Sequence, residues 1–272
     1  DMDRTIIPNG RQPEHPNARK NFRQLCSLPE VTLVYVTGRN LQLVLKAIAD
    51  YNLPAPDYAI TDVGTKIYRQ ARGEWTEMIR WQEQIATDWN GINHGQLQKT
   101  LTIFPELILQ EQSKQNDFKL SYYLPLDADR ENILRKVEHQ LALLGVAASL
   151  IWSVDEPKQI GLLDVLPENA TKLHGIEFLQ QQLGCGSEEI IFAGDSGNDL
   201  QVLGSSIRSI LVANAEKEIK QQAQQLAEQN GCRDFLYLAQ QKDFPLGGNY
   251  SAGIIQGVVF FDPEIGEKLQ IT

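Results

Sequence analysis

Two distant segments of this 272-residue chain each combine β-rich runs with a helical pattern. In the first, a β-rich run at 31–36 precedes apolar residues at helical spacing over 40–53, and another β-rich run covers 58–61. In the second, a helical pattern over 170–183 precedes an apolar run at 189–193. A strand, a helix and a strand in such close succession are typical of a βαβ unit, so these segments predict a parallel sheet.

The residues between these segments have a different character. Residues 118–124 alternate between apolar and polar side chains, as in a strand with one exposed face, and 128–144 form an amphipathic helical pattern. The sequence therefore predicts an α/β fold with a Rossmann-like core and a parallel sheet, built from residues 1–73 and 164–272. We expect residues 74–163 to form an inserted α+β domain.

Composition and charge limit the partners that the chain can have. A formal net charge of −10 argues against a nucleic acid or an anionic membrane as a partner. No apolar run approaches the roughly 20 residues that a membrane span requires, and no signal peptide is recognisable. The three cysteines are scattered without metal-ligand spacing, which is typical of free thiols in a reducing compartment. We therefore expect a cytoplasmic protein.

Carboxylates stand at two places that suit metal and phosphate chemistry. Asp1 and Asp3 are two residues apart, so both side chains would face one side of an extended strand end. Asp195 directly follows the apolar run 189–193, and open α/β sheets bind ligands at the carboxyl ends of their strands. Asp199 lies four residues later. Oxygen ligands without a neighbouring histidine or cysteine favour Mg²⁺, although Asp195 and its neighbours alone also fit a solvated turn.

Two further segments offer groups that could bind phosphate. Thr37, Gly38 and Arg39 follow the run 31–36, so they should lie at the same edge of the sheet as Asp195. A hydroxyl and backbone N–H groups at a helix start suit a phosphate oxygen, but a plain turn with a solvated arginine fits as well. Lys172 lies near the start of a predicted helix, where spacing alone does not distinguish it from a solvated lysine.

Taken in order, these segments resemble the four motifs of the haloacid-dehalogenase (HAD) phosphatase superfamily: Asp1-x-Asp3-x-Thr5, Thr37-Gly38-Arg39, Lys172 and Gly194-Asp195-x-x-Asn198-Asp199. The insertion 74–163 looks like the C2-type cap of that superfamily. Two more stretches, 164–167 and 248–257, look like those of sucrose-phosphate phosphatases and their sugar-phosphatase relatives. From the residues themselves, we interpret 247–250 as a turn and helix cap.

One departure from the superfamily pattern concerns the start of the chain. The superfamily places its first aspartate after a hydrophobic strand, whereas this sequence begins at that aspartate. A parallel sheet without its central strand would expose apolar faces and hydrogen-bonding edges. We therefore expect apolar residues upstream of Asp1 in the natural protein.

The resemblance implies a role for each of the carboxylates. Asp1 would attack phosphorus and form an aspartyl-phosphate, and Asp3 would protonate the leaving sugar oxygen before activating water. Mg²⁺ would be held by Asp1, Asp195 and the backbone carbonyl of Asp3. Asp199 would support the metal shell or orient Lys172.

The resemblance also implies which residues hold the substrate. Thr37 and Lys172 would bind the non-bridging phosphate oxygens during catalysis, with Gly38 and Arg39 beside them. Asn198 would support the metal shell or orient Lys172, and we include it with the substrate-binding residues. The cap would then select the sugar.

Several functions remain open on these grounds. The first is a Mg²⁺-dependent phosphatase for a sugar phosphate, with sucrose 6-phosphate as the first choice of substrate. The alternatives are a phosphatase of another glycosyl phosphate (mannosylglycerate, glucosylglycerol or trehalose type), a phosphomutase, and a weakly catalytic module that assists a sugar-phosphate synthase. A phosphatase and a mutase differ in product, because the first releases free phosphate and the second an isomeric sugar phosphate.

Overall fold

The computed structural model describes residues 1–155, 158–242 and 244–270. These residues form two compact units, the first comprising 1–63, 68–76, 176–242 and 244–270, and the second comprising 64–67, 77–155 and 158–175. In chain order the strands and helices are α1 Ala18–Cys26, β1 Val34–Val36, α2 Leu41–Tyr51, β2 Tyr58–Thr61, β3 Lys66–Ala71, β4 Glu74–Glu77, α3 Ile79–Ala86, α4 His94–Leu101, β5 Ile108–Leu109, β6 Leu120–Leu124, α5 Arg130–Leu143, β7 Ala148–Asp155, β8 Ile160–Pro167, α6 Lys172–Leu183, β9 Ile191–Gly194, α7 Leu200–Leu203, β10 Arg208–Leu211, α8 Lys217–Gln229, β11 Leu236–Leu238, α9 Ser251–Phe261 and α10 Pro263–Lys268.

The first unit contains the parallel strands that the sequence predicts. Strands β1 and β2 pair in parallel, with Val34 opposite Tyr58, and β10 lies in parallel between β9 and β11. Helix α2 connects β1 to β2, and the side chain of Asn40 caps it by accepting a hydrogen bond of 2.9 Å from the Leu43 N–H. The predicted α/β class with a parallel sheet is confirmed.

Apolar side chains from the N-terminal and C-terminal parts of the first unit form one core. Met2, Ile6 and Ile7 are buried in this core together with residues of α1, α2, β10 and α9. The buried side chains of Met2, Ile6 and Ile7 therefore anchor the segment 1–7, which also carries Asp1 and Asp3. Helix α9 contributes most of its length to the core, since 251–258 are all buried.

The second unit has its own sheet and its own core. Strands β5, β6, β8 and β7 form an antiparallel sheet in that order, and α4 and α5 supply buried leucine, isoleucine and valine side chains. Strand β6 lies inside this sheet and four of its five residues are buried. The expectation of an exposed face over 118–124 is therefore wrong. Among the described residues, no helix is both long and apolar enough to cross a membrane.

Candidate active site

Three carboxylates meet within the first unit. One oxygen each from Asp1, Asp195 and Asp199 can be chosen so that all three lie within 4.8 Å of one another, and Asp195 and Asp199 are buried. Two unit charges at about 4.8 Å repel each other by roughly 3 kcal/mol at an effective dielectric constant of about 20. Nearby positive charge would stabilise such a group, and a divalent cation is one possible source of it. Asp3 is not a member of this carboxylate group.

Asp199 organises the loop that follows β9. Its Oδ2 accepts hydrogen bonds from the backbone N–H groups of Asp195 and Ser196, at 3.0 and 3.1 Å. The same side chain lies directly over Gly194, where an added Cβ would stand 2.5 Å from Cγ of Asp199. Glycine at the end of the strand thus permits the carboxylate of Asp199 to fold back over it.

Thr5 connects two of the clustered carboxylates. This fully buried residue has its hydroxyl 3.1 Å from Oδ2 of Asp1 and 3.4 Å from Oδ1 of Asp195. The hydroxyl can donate its one hydrogen to either oxygen, and it fixes the spacing between the two side chains. Thr5 belongs to the first sequence motif, but sequence reasoning gave it no role.

Asp3 points to Arg39 rather than to the carboxylate cluster. The Arg39 guanidinium donates to both carboxylate oxygens of Asp3, at 2.6 and 2.7 Å, and Asn9 donates to Oδ1 at 2.8 Å. These hydrogen bonds to Asp3 are the largest reason that the pKa of Arg39 is raised, with partial burial acting in the opposite direction. This bidentate contact fixes the position of the Asp3 carboxylate.

Thr37 and Gly38 lie in the turn that follows β1. Thr37 is buried, and its backbone N–H donates to the Ile60 carbonyl at 2.8 Å, which continues the pairing of β1 with β2. Its hydroxyl accepts a hydrogen bond from the Arg39 N–H at 3.2 Å. The turn therefore holds the Thr37 side chain and the start of α2 in a defined arrangement, as a binding site for an oxyanion requires.

The remaining predicted residues occupy different surroundings. Lys172 is the first residue of α6, is buried, and belongs to the second unit. Its contact with phosphate stays a prediction. Asn198 lies in the short 3-10 turn after β9, where its side-chain oxygen accepts a hydrogen bond from the Ser196 hydroxyl at 3.0 Å.

A buried amide supports the loop that carries Asp1 and Asp3. The side chain of Asn214 donates to the Arg4 carbonyl at 2.6 Å and accepts from the Tyr250 N–H at 2.8 Å. Asn249 donates to the Pro13 carbonyl at 2.9 Å, and Tyr250 is fully buried. Of the segment 247–250, residues 248–250 bend and turn the chain before α9, but the predicted side-chain cap is not formed at the start of that helix. The polar groups of this segment instead contact Pro13, Gln12 and Asn214.

Comparisons with known proteins match nearly the whole chain. Residues 1–262 match the family described as Sucrose-6F-phosphate phosphohydrolase. The chain is 46% identical over 264 residues to a protein of Nitrosococcus oceani described as a HAD-like hydrolase, covering 97% of this chain and 71% of that protein. It is 28% identical over 230 residues to mannosylfructose-phosphate phosphatase of Agrobacterium fabrum, covering 83% of this chain and 86% of the relative.

Two further similarities concern a synthase and a solved structure. Glucosylglycerol-phosphate synthase of Pseudomonas anguilliseptica is 28% identical over 79% of this chain, which spans only 27% of that protein. The sucrose-phosphatase of Synechocystis sp. PCC6803, solved with sucrose and phosphate, has the same fold, with a TM-score of 0.71 at 23% identity over 96% of this chain and 95% of that one. The chain therefore belongs to the sucrose-6F-phosphate phosphohydrolase family of HAD-type sugar phosphatases, which are phosphoric monoester hydrolases.

Proposed function

We propose that this protein is a Mg²⁺-dependent phosphatase that hydrolyses sucrose 6-phosphate to sucrose and phosphate. The family match over 1–262 carries the proposal, and the carboxylate group of Asp1, Asp195 and Asp199 supports the metal dependence. An alternative substrate is mannosylfructose phosphate, because the relative from Agrobacterium fabrum is described as a mannosylfructose-phosphate phosphatase.

The donor set fits Mg²⁺. All three clustered ligand atoms are carboxylate oxygens, two of the three side chains are buried, and the group has the spacing that a shared cation requires. Asp1, Asp195 and Asp199 would hold the ion, together with the backbone carbonyl of Asp3. When bound, Mg²⁺ would supply positive charge against the phosphate oxygens and the carboxylates.

Asp1 would be the nucleophile. Its carboxylate would attack phosphorus in line, the bond from phosphorus to the sugar oxygen would break, and an aspartyl-phosphate would form. The Thr5 hydroxyl, 3.1 Å from Oδ2 of Asp1, would keep the attacking carboxylate oriented. Water would then attack phosphorus, the bond between phosphorus and the Asp1 carboxylate would break, and inorganic phosphate would leave as Asp1 returns to its starting form.

Asp3 would transfer the proton in both steps. It would donate a proton to the departing sugar oxygen and then accept one from the attacking water. Its contacts with Arg39 and Asn9 would hold it in place between the two steps.

Phosphate oxygens would be held by Thr37, Gly38 and Lys172. The Thr37 hydroxyl and the N–H groups of the turn after β1 would donate hydrogen bonds, and Lys172 would add a positive charge. Arg39 would contribute to substrate binding through the same turn, and Asn198 and Asp199 would support the metal shell or orient Lys172.

Residues 74–163 would act as the cap that selects the sugar, with 1–73 and 164–272 as the catalytic core. The separate antiparallel sheet and apolar core of the second unit support an independently built domain. We further propose a cytoplasmic location and, from the similarity to a glucosylglycerol-phosphate synthase, cooperation with a sugar-phosphate synthase.

An Asp1→Asn substitution tests the nucleophile. We expect no multiple turnover, and no labelled protein after acid quench of a reaction with substrate carrying radioactive phosphate. Asp50→Asn is a matched control, because Asp50 pairs with Lys46 on the exposed side of α2, and it should keep full activity. Sustained turnover by the Asp1→Asn protein would refute the assignment.

The substrate is tested by phosphate release from a panel of sugar phosphates, each with Mg²⁺ and with chelator. A metal-dependent preference for sucrose 6-phosphate supports the proposal. A preference for mannosylfructose phosphate keeps the chemistry and replaces the substrate. An isomeric sugar phosphate without free phosphate would indicate a mutase, and activity that persists in chelator would refute the metal dependence.

A further inference from the structure

Arg4 connects the carboxylate cluster to the protein surface. Its Nε lies 3.2 Å from Oδ2 of Asp195, and one of its terminal nitrogens lies 3.3 Å from Oε1 of Glu216. The side chain of Asp195 is 2% exposed and that of Glu216 is 67% exposed. One guanidinium therefore contacts two carboxylates, of which only the buried one belongs to the cluster.

The backbone of Arg4 is held in a conformation that favours glycine. Its φ is +55°, in the left-handed region where a side chain is unfavourable. Two hydrogen bonds maintain this conformation, from the Arg4 N–H to Oδ1 of Asn9 at 2.8 Å and from the Asn214 amide to the Arg4 carbonyl at 2.6 Å. The surrounding structure thus directs the Arg4 side chain to the cluster despite the local strain.

We propose that Arg4 is a built-in counter-cation of the carboxylate cluster. It pairs with Asp195 when no metal is bound, lowers the affinity of the cluster for a divalent cation, and keeps only its contact with Glu216 when a cation binds. This inference rests on the proposed function, because it requires that Asp1, Asp195 and Asp199 bind a metal.

The geometry makes the pair with Asp195 one that a metal can displace. Nε of Arg4 is buried, and among the described residues no acceptor completes a hydrogen bond to it, so its contact with Asp195 is ionic. A divalent cation would compete for the negative charge of Asp195, since it carries twice the charge of the guanidinium. Glu216 already lies within reach of Arg4, so the displaced side chain keeps a partner.

Titration of the protein with Mg²⁺, and in parallel with Mn²⁺, by isothermal calorimetry tests the proposal. For Arg4→Gln we expect the dissociation constant to fall about tenfold, because a competing charge beside Asp195 is removed. In chelator, the same variant should unfold at a lower temperature than the unsubstituted protein, since the three carboxylates lose a counter-cation. An Arg4→Lys protein should stay close to the unsubstituted one.

Glu216→Gln is a control with the opposite sign. Without Glu216, Arg4 has lost its second partner, so metal binding should weaken by a few-fold. In an Arg4→Gln/Glu216→Gln double variant, the effect of the second substitution should disappear, because it acts through Arg4.

The outcomes separate this inference from the proposed function. If the unsubstituted protein binds neither cation, the proposed metal site is wrong and this inference fails with it. If the unsubstituted protein binds metal and Arg4→Gln binds it equally or more weakly, Arg4 is not a competitor and this inference alone fails. If the Arg4→Gln protein does not fold, metal binding by the Glu216→Gln protein tests the proposal instead. Unchanged or tighter binding by Glu216→Gln would overturn it.

Discussion

In a Gly194→Ala protein, the added methyl group would stand 2.5 Å from Cγ and 2.6 Å from Oδ2 of Asp199. Contacts this short require the Asp199 side chain to move. Asp199 is fully buried, and its Oδ2 accepts hydrogen bonds from the N–H groups of Asp195 and Ser196. Movement would therefore weaken these two hydrogen bonds as well as relieve the overlap.

Overpacking and weakened buried hydrogen bonds together should lower the free energy of unfolding by about 2–4 kcal/mol. For a chain of this size, that corresponds to a fall in melting temperature of roughly 5–15 °C. Because Asp199 is a member of the carboxylate cluster, we also expect phosphatase activity and Mg²⁺ affinity to fall by more than about tenfold.

The assay is thermal unfolding followed by circular dichroism, in chelator and in Mg²⁺, with Gly197→Ala as the matched control. Gly197 lies in the same loop, and a Cβ added there would meet its nearest neighbour, Cδ1 of Ile219, at an ordinary 3.9 Å. We expect this control to change the unfolding free energy by no more than about 0.5 kcal/mol. Equal effects of the two alanines would refute the reasoning from Asp199.

Two further predictions concern pH and the loop that carries Asp1. Burial, with a smaller contribution from Asp57, raises the pKa of the Cys26 thiol to about 12. The folded protein then keeps that proton at pH values where the unfolded chain loses it, so the contribution to stability is present below about pH 9 and lost as the pH rises toward 12. A Cys26→Val protein should show a shallower loss of stability by chemical denaturation over that range. Asn214→Ala removes two buried hydrogen bonds, to Arg4 and Tyr250, and should cost roughly 2–3 kcal/mol and lower kcat, as measured by urea unfolding and phosphate release.

Local patterns in the sequence predict several of the strands and helices of the first unit. The helical spacing after Asn40 predicts α2, and the Asn40 side chain caps that helix. The apolar run ending at Ala193 predicts β9, which ends one residue later at Gly194. Thr37 and Asp195 each follow a strand that these local signals predict, but β1 and β9 belong to two different sheets of the described residues, so the expected common sheet edge is not observed.

The second unit shows where such patterns are insufficient. Alternation over 118–124 reveals the two faces of a strand but not whether both are covered. Lys119 and Ser121 are buried because Asp164 on β8 lies opposite, with Lys119 Nζ 3.0 Å from Asp164 Oδ1. From the local sequence, a buried polar residue whose partner lies more than 40 positions away cannot be distinguished from an exposed polar residue.

The same reason explains why the support of the Asp1 loop could not be predicted. Asn214 reaches Arg4 and Tyr250 across more than 30 residues in each direction, and Asn249 reaches Pro13. An asparagine before a helix is typical of a cap, and nothing in the local sequence indicates a distant carbonyl as its partner. These long-range polar contacts could therefore not be predicted from the sequence.

The strain at Arg4 is best understood from the balance of charge around it. A left-handed non-glycine residue costs roughly 1–2 kcal/mol, a cost that glycine at this position would avoid. Each like-charged pair in the cluster repels by roughly 3 kcal/mol before screening, and solvent reduces the benefit of Arg4 because its side chain is 36% exposed. We expect the attraction between the guanidinium and Asp195 to offset this strain while no cation is bound. A divalent cation that neutralises the carboxylates would remove this attraction, and its loss is why we expect Arg4 to oppose metal binding.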